Sequence, residues 1–496
     1  MKKGTLILIG VFAVLLVIVL ATRERQVSVG IVKFELPPIE KDKVVAIEIA
    51  GPKAASLEKE GAGWTVADPA KPDQKHPADE QQINSALDAY KETKVHDLVS
   101  DKSERQTEFE IDDAKALKVR ITSQGAPSVE LLLGKPTRSG GVYIRQAKSN
   151  AIFTAEGRFP WMAKRDVSAW RKRSIIGAKL EDVLEVAVHP KDQESYVLTN
   201  SGDGGGWKLK EGTKLPDRFR YDASAGQGLV QQLVNLRAQD FIDSPGSDES
   251  LGFAGPHSFV EAKLKDGKQV RVHLGQEQES KETKSKAVAV RLEGDPQVYL
   301  VPPYTANILQ KRAADLRDLS LLSFEAQKVS KLSVVSAGKK TVVAREGDTW
   351  KVLEPKKLPS GFEFDPARIT AELNMLRGLK ASRLIDGKVE PAQSGLSKPT
   401  TQVDLTLEGG AHQSLTFGKE AKSDKGKEVF VKGSADALTY AISDGQRSRF
   451  DSGVEMFKKL PPPPPNMAGG GMRGLESLPP DVRAKIEAQL RQQPHP

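Results

Sequence analysis

The longest uninterrupted hydrophobic stretch of the chain lies at its N-terminus, from Thr5 to Thr22. It comprises 18 uncharged, mostly apolar residues, and a helix of that length is just long enough to cross the hydrocarbon core of a membrane. The charged groups that flank it are Lys2, Lys3 and the α-amino group before it, and Arg23, Glu24 and Arg25 after it. The more positive N-terminal side favours a cytoplasmic N-terminus. We therefore predict a single-pass transmembrane anchor within residues 1–25.

A cleaved signal peptide is the alternative interpretation of the same stretch. Val19 and Ala21 form a weak small-residue cleavage pattern. The apolar run is long for a signal peptide, however, and strongly charged residues follow it at once. An uncleaved anchor therefore fits the pattern better.

Beyond the anchor, three tryptophans mark a repeated pattern of strands. Trp64, Trp207 and Trp350 are equally spaced, since 207 − 64 = 143 and 350 − 207 = 143. Two segments of alternating apolar and polar residues and a Gly-containing turn precede each tryptophan, and a third strand begins at it. The first strands are expected at residues 45–49, 184–188 and 332–335, and the third at 64–66, 207–209 and 350–352. We expect each tryptophan to anchor the core of its repeat through its large apolar ring.

A helix is predicted after each of these hairpins. Asp79, Asp222 and Asp365 keep the same spacing, since 222 − 79 = 143 and 365 − 222 = 143, and each is followed by an amphipathic pattern. The apolar positions are Ile83, Leu87 and Tyr90; Leu229, Leu233 and Leu236; and Ile369, Leu373 and Leu376. We expect each aspartate to act at or near the N-cap. Pro366 suits the first helical position, whereas Gly226 and Gly228 weaken the first turn of the second helix.

More strands complete each repeat. Second hairpins are expected at residues 117–132, 260–274 and 403–417, and their last strands end at Gly134, Gly275 and Gly418. A further pair of strands follows near residues 142–153, 288–300 and 429–441. Helical segments near residues 161–170, 304–316 and 447–459 close the repeats.

The pattern as a whole predicts an α+β architecture of tandem domains. Each domain is expected to be an antiparallel sheet with covering helices, and the domains are placed at residues 43–176, 181–322 and 328–460. Residues 461–496 form a Pro- and Gly-rich tail, in which residues 481–493 have the pattern of a short amphipathic helix. We expect this tail to be disordered in isolation, with docking to a partner as the more specific alternative.

Composition narrows the choice of partners and chemistry. The formal net charge is +8 and the pI about 9.2, but the basic residues are spread along the chain. This indicates mild attraction to anionic surfaces and no nucleic-acid partner. The chain has no cysteine, which excludes disulfides, thiolate metal sites and cysteine nucleophiles.

Several of these features resemble the domain-of-unknown-function 4340 family. They are the tryptophan hairpin, the helix that begins at an aspartate, the sequences LLLGK and LTFGK that end at Lys135 and Lys419, and the sequence VYIR that ends at Arg145. The resemblance covers about residues 43–460, and Gln276 departs from it at the position of the two lysines. It implies an N-terminal anchor and an accessory role in the cell envelope, because members often occur beside gliding-type or copper-type ABC-2 transporter components. It provides no catalytic residue.

The sequence offers no catalytic, cofactor-binding or metal-binding residue. Its seven histidines are His76, His96, His189, His257, His273, His412 and His495. None pairs with a carboxylate or another histidine at metal-ligand spacing, so we expect isolated surface or strand histidines. Nucleophile-elbow, zinc-protease and P-loop motifs are all missing from the sequence.

Three local features have competing interpretations. The glycine-rich segment 202–206 suggests a phosphate loop, but it precedes a strand and is interpreted as a hairpin turn. The three repeated aspartates could be catalytic acids, although capping suffices to explain them. The basic residues Lys164, Arg165 and 171–173 could meet anionic lipid or polysaccharide, and a solvated helix face is the preferred interpretation.

These observations predict a non-enzymatic scaffold or accessory binding protein in the bacterial inner membrane, with its bulk in the periplasm. Its expected partners are the membrane, through Thr5 to Thr22, and an ABC-2-type transporter permease or other envelope protein. A module that binds cell-wall or capsular polysaccharide, with aromatics in a groove between domains, is the alternative. A third class is an envelope hydrolase whose acids converge only in the folded protein.

Overall fold

A computed structural model describes residues 34–460 except 203–205, 386, 388 and 425. It contains three antiparallel sheets in succession along the chain. Two compact units hold them: one ends at Leu316 and contains the first two sheets, and the other begins at Arg317 and contains the third. The α+β class and the threefold repetition predicted from the sequence are thus confirmed. We call the three structures repeats 1, 2 and 3.

Repeat 1 is a nine-stranded sheet with three short or medium helices. Its strands are β1 (Val44–Ala50), β2 (Ala55–Glu60), β3 (Gly63–Ala67), β4 (His76–Pro77), β5 (Lys94–Ser100), β6 (Leu117–Ser123), β7 (Val129–Pro136), β8 (Val142–Gln146) and β9 (Ile152–Glu156). Its helices are α1 (Glu80–Glu92), α2 (Phe159–Met162) and α3 (Val167–Trp170). The strand order is β4-β3-β2-β1-β6-β7-β8-β9-β5.

Repeat 2 is an eight-stranded sheet in the order β12-β11-β10-β14-β15-β16-β17-β13. Its strands are β10 (Val183–His189), β11 (Tyr196–Asn200), β12 (Trp207–Leu209), β13 (Asp240–Ile242), β14 (Ser258–Leu264), β15 (Gln269–Glu279), β16 (Lys286–Leu292) and β17 (Val298–Val301). Its helices are α4 (Ala223–Val234), α5 (Asp248–Leu251) and α6 (Pro303–Leu309).

Repeat 3 has the same topology, with the order β20-β19-β18-β22-β23-β24-β25-β21. Its strands are β18 (Val329–Ser336), β19 (Lys339–Glu346), β20 (Thr349–Glu354), β21 (Arg383–Leu384), β22 (Thr401–Leu407), β23 (His412–Ala421), β24 (Glu428–Gly433) and β25 (Tyr440–Ser443). Its helices are α7 (Ala367–Arg377), α8 (Pro391–Ser394) and α9 (Asp444–Ser448), and a 3₁₀ segment (Arg449–Phe457) closes it.

The repeated aspartates cap the three main helices. The Asp79 side chain accepts a hydrogen bond from the Gln82 N–H, and Asp222 accepts from the Ser224 and Ala225 N–H groups. Asp365 lies one residue further out, because Pro366 already has helical angles and the helix begins at Ala367. The backbone N–H of each aspartate also donates to the last residue of its closing segment, namely Trp170, Leu316 and Phe457. In each repeat, the same aspartate therefore caps the main helix and binds the end of the closing segment.

The tryptophans do not all have the predicted environment. Trp64 and Trp207 are buried, with 7% and 2% of their surface exposed. Trp350 is only partly buried and packs at the edge of the third core. The expectation of a core anchor is met in repeats 1 and 2 and only partly in repeat 3.

A short segment just before the second hairpin lies on the face of each sheet opposite the main helix. It contains Phe109 in repeat 1, Leu251 in repeat 2 and Ser394 in repeat 3, and we call it the covering segment. Phe109 and Ile111 form a second small core in repeat 1, and Leu251 and Phe253 form one in repeat 2. The glycines predicted at strand ends permit this approach. The prediction that the strands end there is wrong, because β7, β15 and β23 continue to Pro136, Glu279 and Ala421. A Cβ at Gly134, Gly275 or Gly418 would lie 2.4, 2.1 or 2.1 Å from a carbonyl oxygen of the covering segment. A register shift follows each glycine in its strand.

Within residues 34–460, no helix has the length and hydropathy needed to cross a membrane. The predicted anchor from Thr5 to Thr22 and the predicted tail helix at residues 481–493 lie outside the described residues.

Candidate functional site

The linker between repeats 1 and 2 pairs with both of them. The Lys172 N–H donates to Pro77 O at 2.8 Å, on the repeat 1 side. The Ile175 N–H donates to Leu236 O at 2.9 Å, and Arg173 O accepts from the Ala238 N–H at 2.7 Å, both on the repeat 2 side. The backbone of one segment is thus shared by the two repeats, which restricts their relative motion.

Arg171 is the central side chain of this junction. Its side chain is 5% exposed, and its Nη1 lies 2.7 Å from Asp243 Oδ1. Nη2 donates to Gln297 Oε1 at 2.8 Å, and the guanidinium carbon lies 3.7 Å from the centre of the Phe241 ring. A guanidinium suits this place because its planar fork binds two acceptors while its face stacks on the aromatic ring. Arg171 therefore stabilises the contact between repeat 1 and the edge strand β13 of repeat 2.

Arg173 makes a second set of contacts across the junction. Its Nη2 lies 3.1 Å from Glu282 Oε2, and the Ser168 hydroxyl donates to the same oxygen at 3.2 Å. Nη1 donates to the carbonyls of Ala238 and Gln239. These bonds connect α3 of repeat 1 with the loop after β15 of repeat 2.

Asp240 holds that loop in place. Its carboxylate accepts from the Phe241 N–H at 2.8 Å, the Ser280 hydroxyl at 2.9 Å and the Glu282 N–H at 3.0 Å. Burial tends to raise the pKa of Asp240, but these hydrogen bonds to the charged form outweigh it and hold the pKa below its ordinary value. Asp240 thus remains ionised and presents Glu282 to Arg173.

The expectation of a solvated basic face is wrong for part of this cluster. Arg171 is buried and Arg173 is half-buried between carbonyls and a carboxylate. Arg165 donates to Gln82 Oε1 at 2.7 Å. The sequence shows the charges but not their partners, since Asp243 and Glu282 lie about 70 and 110 positions along the chain. The aligned residue after Leu316 is also an arginine, Arg317, and it too is buried.

His76 lies beside the junction. Burial, and then the charge of Arg171, lower the pKa of His76, and Asp243 opposes them. A neutral His76 is therefore favoured in the folded protein.

The prediction of isolated histidines is wrong for His257 and His273. Their rings are joined by a hydrogen bond of 2.8 Å. His257 Nδ1 lies 2.8 Å from Gly255 O, and His273 Nε2 bonds to Glu293 Oε2. The hydrogen bond from His273, together with its charge, lowers the pKa of Glu293.

A register argument could have found this pair. His273 lies directly opposite Phe259 in the β14–β15 hairpin, so His257, two residues before Phe259, lies on the same face as His273. The signal was the Asp266-Gly267 turn, which sets the register.

A serine, a histidine and a glutamate also meet on the face of repeat 2. Ser195 Oγ lies 2.8 Å from His189 Nδ1, and His189 Nε2 lies 3.7 Å from Glu261 Oε2. The second distance is too long for a hydrogen bond, so the glutamate does not orient the ring as a catalytic triad requires. The His189 ring instead stacks on Phe259, with 4.1 Å between ring centres.

The remaining candidates have structural settings. Gly202 and Gly206 flank the connection between the paired strands β11 and β12, as the hairpin interpretation predicted. Among the described residues, no group of three or more histidines, aspartates and glutamates is placed to hold a metal ion.

The sequence profile described as domain of unknown function (DUF4340) matches residues 64–256 and 249–399. The first match runs from β3 of repeat 1 beyond α5 of repeat 2, and so it includes the junction at Arg171. Residues 43–63 and 400–460, which the resemblance was expected to cover, lie outside both matches. No curated protein and no solved structure gives a significant match to the chain.

Proposed function

Since the chain belongs to the DUF4340 family, for which no activity is described, we propose a function from its architecture: a non-enzymatic scaffold of the cell envelope. It is anchored in the inner membrane by Thr5 to Thr22 and presents its repeats outside the cytoplasm. Its partner is an ABC-2-type transporter permease or another envelope protein.

The junction at Arg171 is the observation that carries this proposal. A scaffold must present surfaces at fixed spacing, and a shared backbone segment with a buried arginine provides that for repeats 1 and 2. Inter-domain contacts within a chain otherwise permit relative motion. The family match that includes the junction supports a role for the pair of repeats as one platform.

Affinity purification from cross-linked membranes tests the proposal. The full chain, its Arg171→Ala variant and its Arg158→Ala variant would be compared at equal expression. Arg158 is a matched control because it pairs with Glu92 on the surface, with side chains 69% and 65% exposed. We expect the wild type and the control to recover the same envelope protein, and Arg171→Ala to recover clearly less of it.

Two results would contradict the scaffold. One is the recovery of no membrane or envelope protein by the wild type. The other is equal recovery by Arg171→Ala, provided that near-ultraviolet circular dichroism shows the variant to be folded.

A further inference from the structure

A lysine-rich pocket lies in repeat 1, at the end of the sheet where β7 bends. Its volume is about 400 Å³, which is within the range of small-molecule sites. Four lysines and a single carboxylate, Glu110, contribute to its lining: the lysines are Lys53, Lys115, Lys135 and Lys164. Leu117 and Leu133 supply apolar wall. We call this the lysine pocket.

The positive charge of the pocket is poorly compensated. Within the described part of the chain, Lys115, Lys135 and Lys164 form no ion pair. Lys53 lies 4.0 Å from Asp166, at the limit of a contact. Burial lowers the pKa of Lys164, and the charge of Glu110 opposes the shift without cancelling it. Gathering like charges in a concave site costs free energy that a bound anion would recover.

The acids near the lysine pocket accept hydrogen bonds from groups other than the pocket lysines' ammonium groups. Glu108 Oε2 accepts from Arg105 Nε at 2.9 Å, and Asp166 Oδ1 accepts from the Ala169 N–H at 3.1 Å. Asp112 Oδ1 accepts from the N–H groups of Ala114 and Lys115 at 3.0 and 3.1 Å. These hydrogen bonds leave the carboxylates charged, so the acids offset part of the lysine charge. The lining itself holds four lysines against the single carboxylate Glu110 and therefore keeps an excess of positive charge.

An exposed tryptophan stands beside the lysine pocket. Lys164, which lines it, lies with its Nζ 4.9 Å from the centre of the Trp161 ring, and Trp161 is 45% exposed. The surface of an indole is suited to packing against the apolar face of a sugar ring, while the lysines can bind an acidic substituent. This pairing distinguishes the site from a simple ion site.

The lysine set belongs to repeat 1 alone. Gln276 takes the place of Lys135 in repeat 2 and donates to Ser250 O. Asn307 follows Tyr304 there as Lys164 follows Trp161. In repeat 3, Lys419 has the place of Lys135, but its Nζ lies 3.4 Å from Ala392 O. Features that the fold requires recur in all three repeats. The set of four lysines occurs only in repeat 1, so the fold does not require it.

We propose that the lysine pocket and Trp161 bind an acidic saccharide, with its carboxylate or phosphate among the lysines. This site is a function beyond the scaffold, and it stands even if the scaffold has no membrane partner.

Titration calorimetry on the full chain in detergent tests the site with trigalacturonate, a neutral galactose trisaccharide and inorganic phosphate as probes. We expect trigalacturonate to bind, with an affinity that falls as salt rises. The Lys135→Ala/Lys164→Ala variant is expected to bind it at least about tenfold more weakly, because charged hydrogen bonds are lost. Trp161→Ala is expected to weaken trigalacturonate binding several-fold.

Lys419→Ala is the matched control, since it removes the equivalent lysine of repeat 3, and it should leave binding unchanged. Equal binding of the neutral trisaccharide, or of trigalacturonate by the double-lysine variant, would overturn the proposal. So would phosphate that binds as tightly as trigalacturonate with no effect of Trp161→Ala. Near-ultraviolet circular dichroism establishes that each variant is folded.

Discussion

Tyr221 shows how one side chain can require a glycine inside a helix. Its hydroxyl donates to Trp207 O at 2.7 Å, and a Cβ at Gly226 would lie only 1.8 Å from that hydroxyl. The sequence suggested that Gly226 weakens the first turn of α4. The structure shows that the glycine leaves room for the bond between the helix and the tryptophan strand.

Gly226→Ala should therefore destabilise the first unit, by about 1–3 kcal/mol, as overpacking usually does. Gly228→Ala in the same helix is the control, because no atom lies within 4 Å of its Cβ position. Alanine there should stabilise the helix by up to about 1 kcal/mol. Urea unfolding measures both, and equal effects of the two substitutions would contradict this account.

His76 predicts a pH dependence of the same unit. Its pKa is lowered in the folded state by burial and by Arg171, so the unfolded chain takes up a proton at a higher pH than the folded one. Stability is then present above the ordinary value of 6.5 and is lost as the pH falls through and below it. Burial also lowers the pKa of His189 and acts in the same direction.

Urea midpoints at pH 7.5 and 5.5 check this expectation. The wild type should be less stable at the lower pH, and His76→Gln should lose part of the difference. If His76→Gln shows the same pH dependence as the wild type, the lowered pKa of His76 makes no contribution to it.

At the scale of elements, Gly134 in β7, Gly275 in β15 and Gly418 in β23 have one shared role. Each lies under a carbonyl of the covering segment, at a place where the strand changes register. Sequence reasoning predicted that the strand ends at Gly275, whereas β15 continues to Glu279, and it did not predict the covering segment. The glycine is required by a close contact with the backbone of the covering segment, but the contacted residues lie 20 or more positions away in the chain.

Gly275→Ala should detach the covering segment of repeat 2, because the new Cβ would lie 2.1 Å from Leu251 O. We expect faster hydrogen exchange in residues 247–254 and a loss of about 1–3 kcal/mol of stability. Gly63→Ala in β3 is the control, since its Cβ position is open. Unchanged exchange in residues 247–254 would show that the contact does not hold the segment.

Long helices and strands with regular apolar spacing were predicted correctly from the sequence, and short ones were not. The main helices and the long hairpins were predicted because amphipathic spacing and turn glycines specify them locally. The edge strands β5, β13 and β21 were missed. Asp240–Ile242 and Arg383–Leu384 are too short to show a pattern, and Lys94–Ser100 is longer but has no regular alternation of apolar and polar residues. Each of them pairs with the strand of its sheet that comes last in the chain, β9, β17 or β25.

At the scale of the whole molecule, the spacing of Trp64, Trp207 and Trp350 predicted the threefold repetition, whereas both proposed functions depend on features that differ between the copies. The junction at Arg171 and the lysine pocket both depend on side chains brought together from distant parts of the sequence. The sequence showed a basic cluster near residue 170 without showing that it divides into a pocket and a junction. The sequence gives the charge of each side chain directly. The burial of a side chain and its bonding partners depend on residues that are distant in the sequence.

Arg171→Ala should reduce the stability of the first unit by about 2 kcal/mol, because two hydrogen bonds to a charged group and a stacked ring are lost. The remaining Asp243 is 49% exposed and can be solvated, which limits the loss. Calorimetry should show the unfolding of repeats 1 and 2 separating into less cooperative transitions. A single transition at the wild-type temperature would contradict the role assigned to Arg171.

The distance between repeats 1 and 2 tests the central claim most directly. Because the chain has no cysteine, Ser139→Cys and Lys268→Cys place one spin label on each repeat at exposed positions. Pulsed electron resonance should give a narrow distance distribution in the otherwise wild-type chain and a broad one when Arg171→Ala is added. A broad distribution in the otherwise wild-type chain, or an equally narrow one without Arg171, would contradict a platform fixed by this junction.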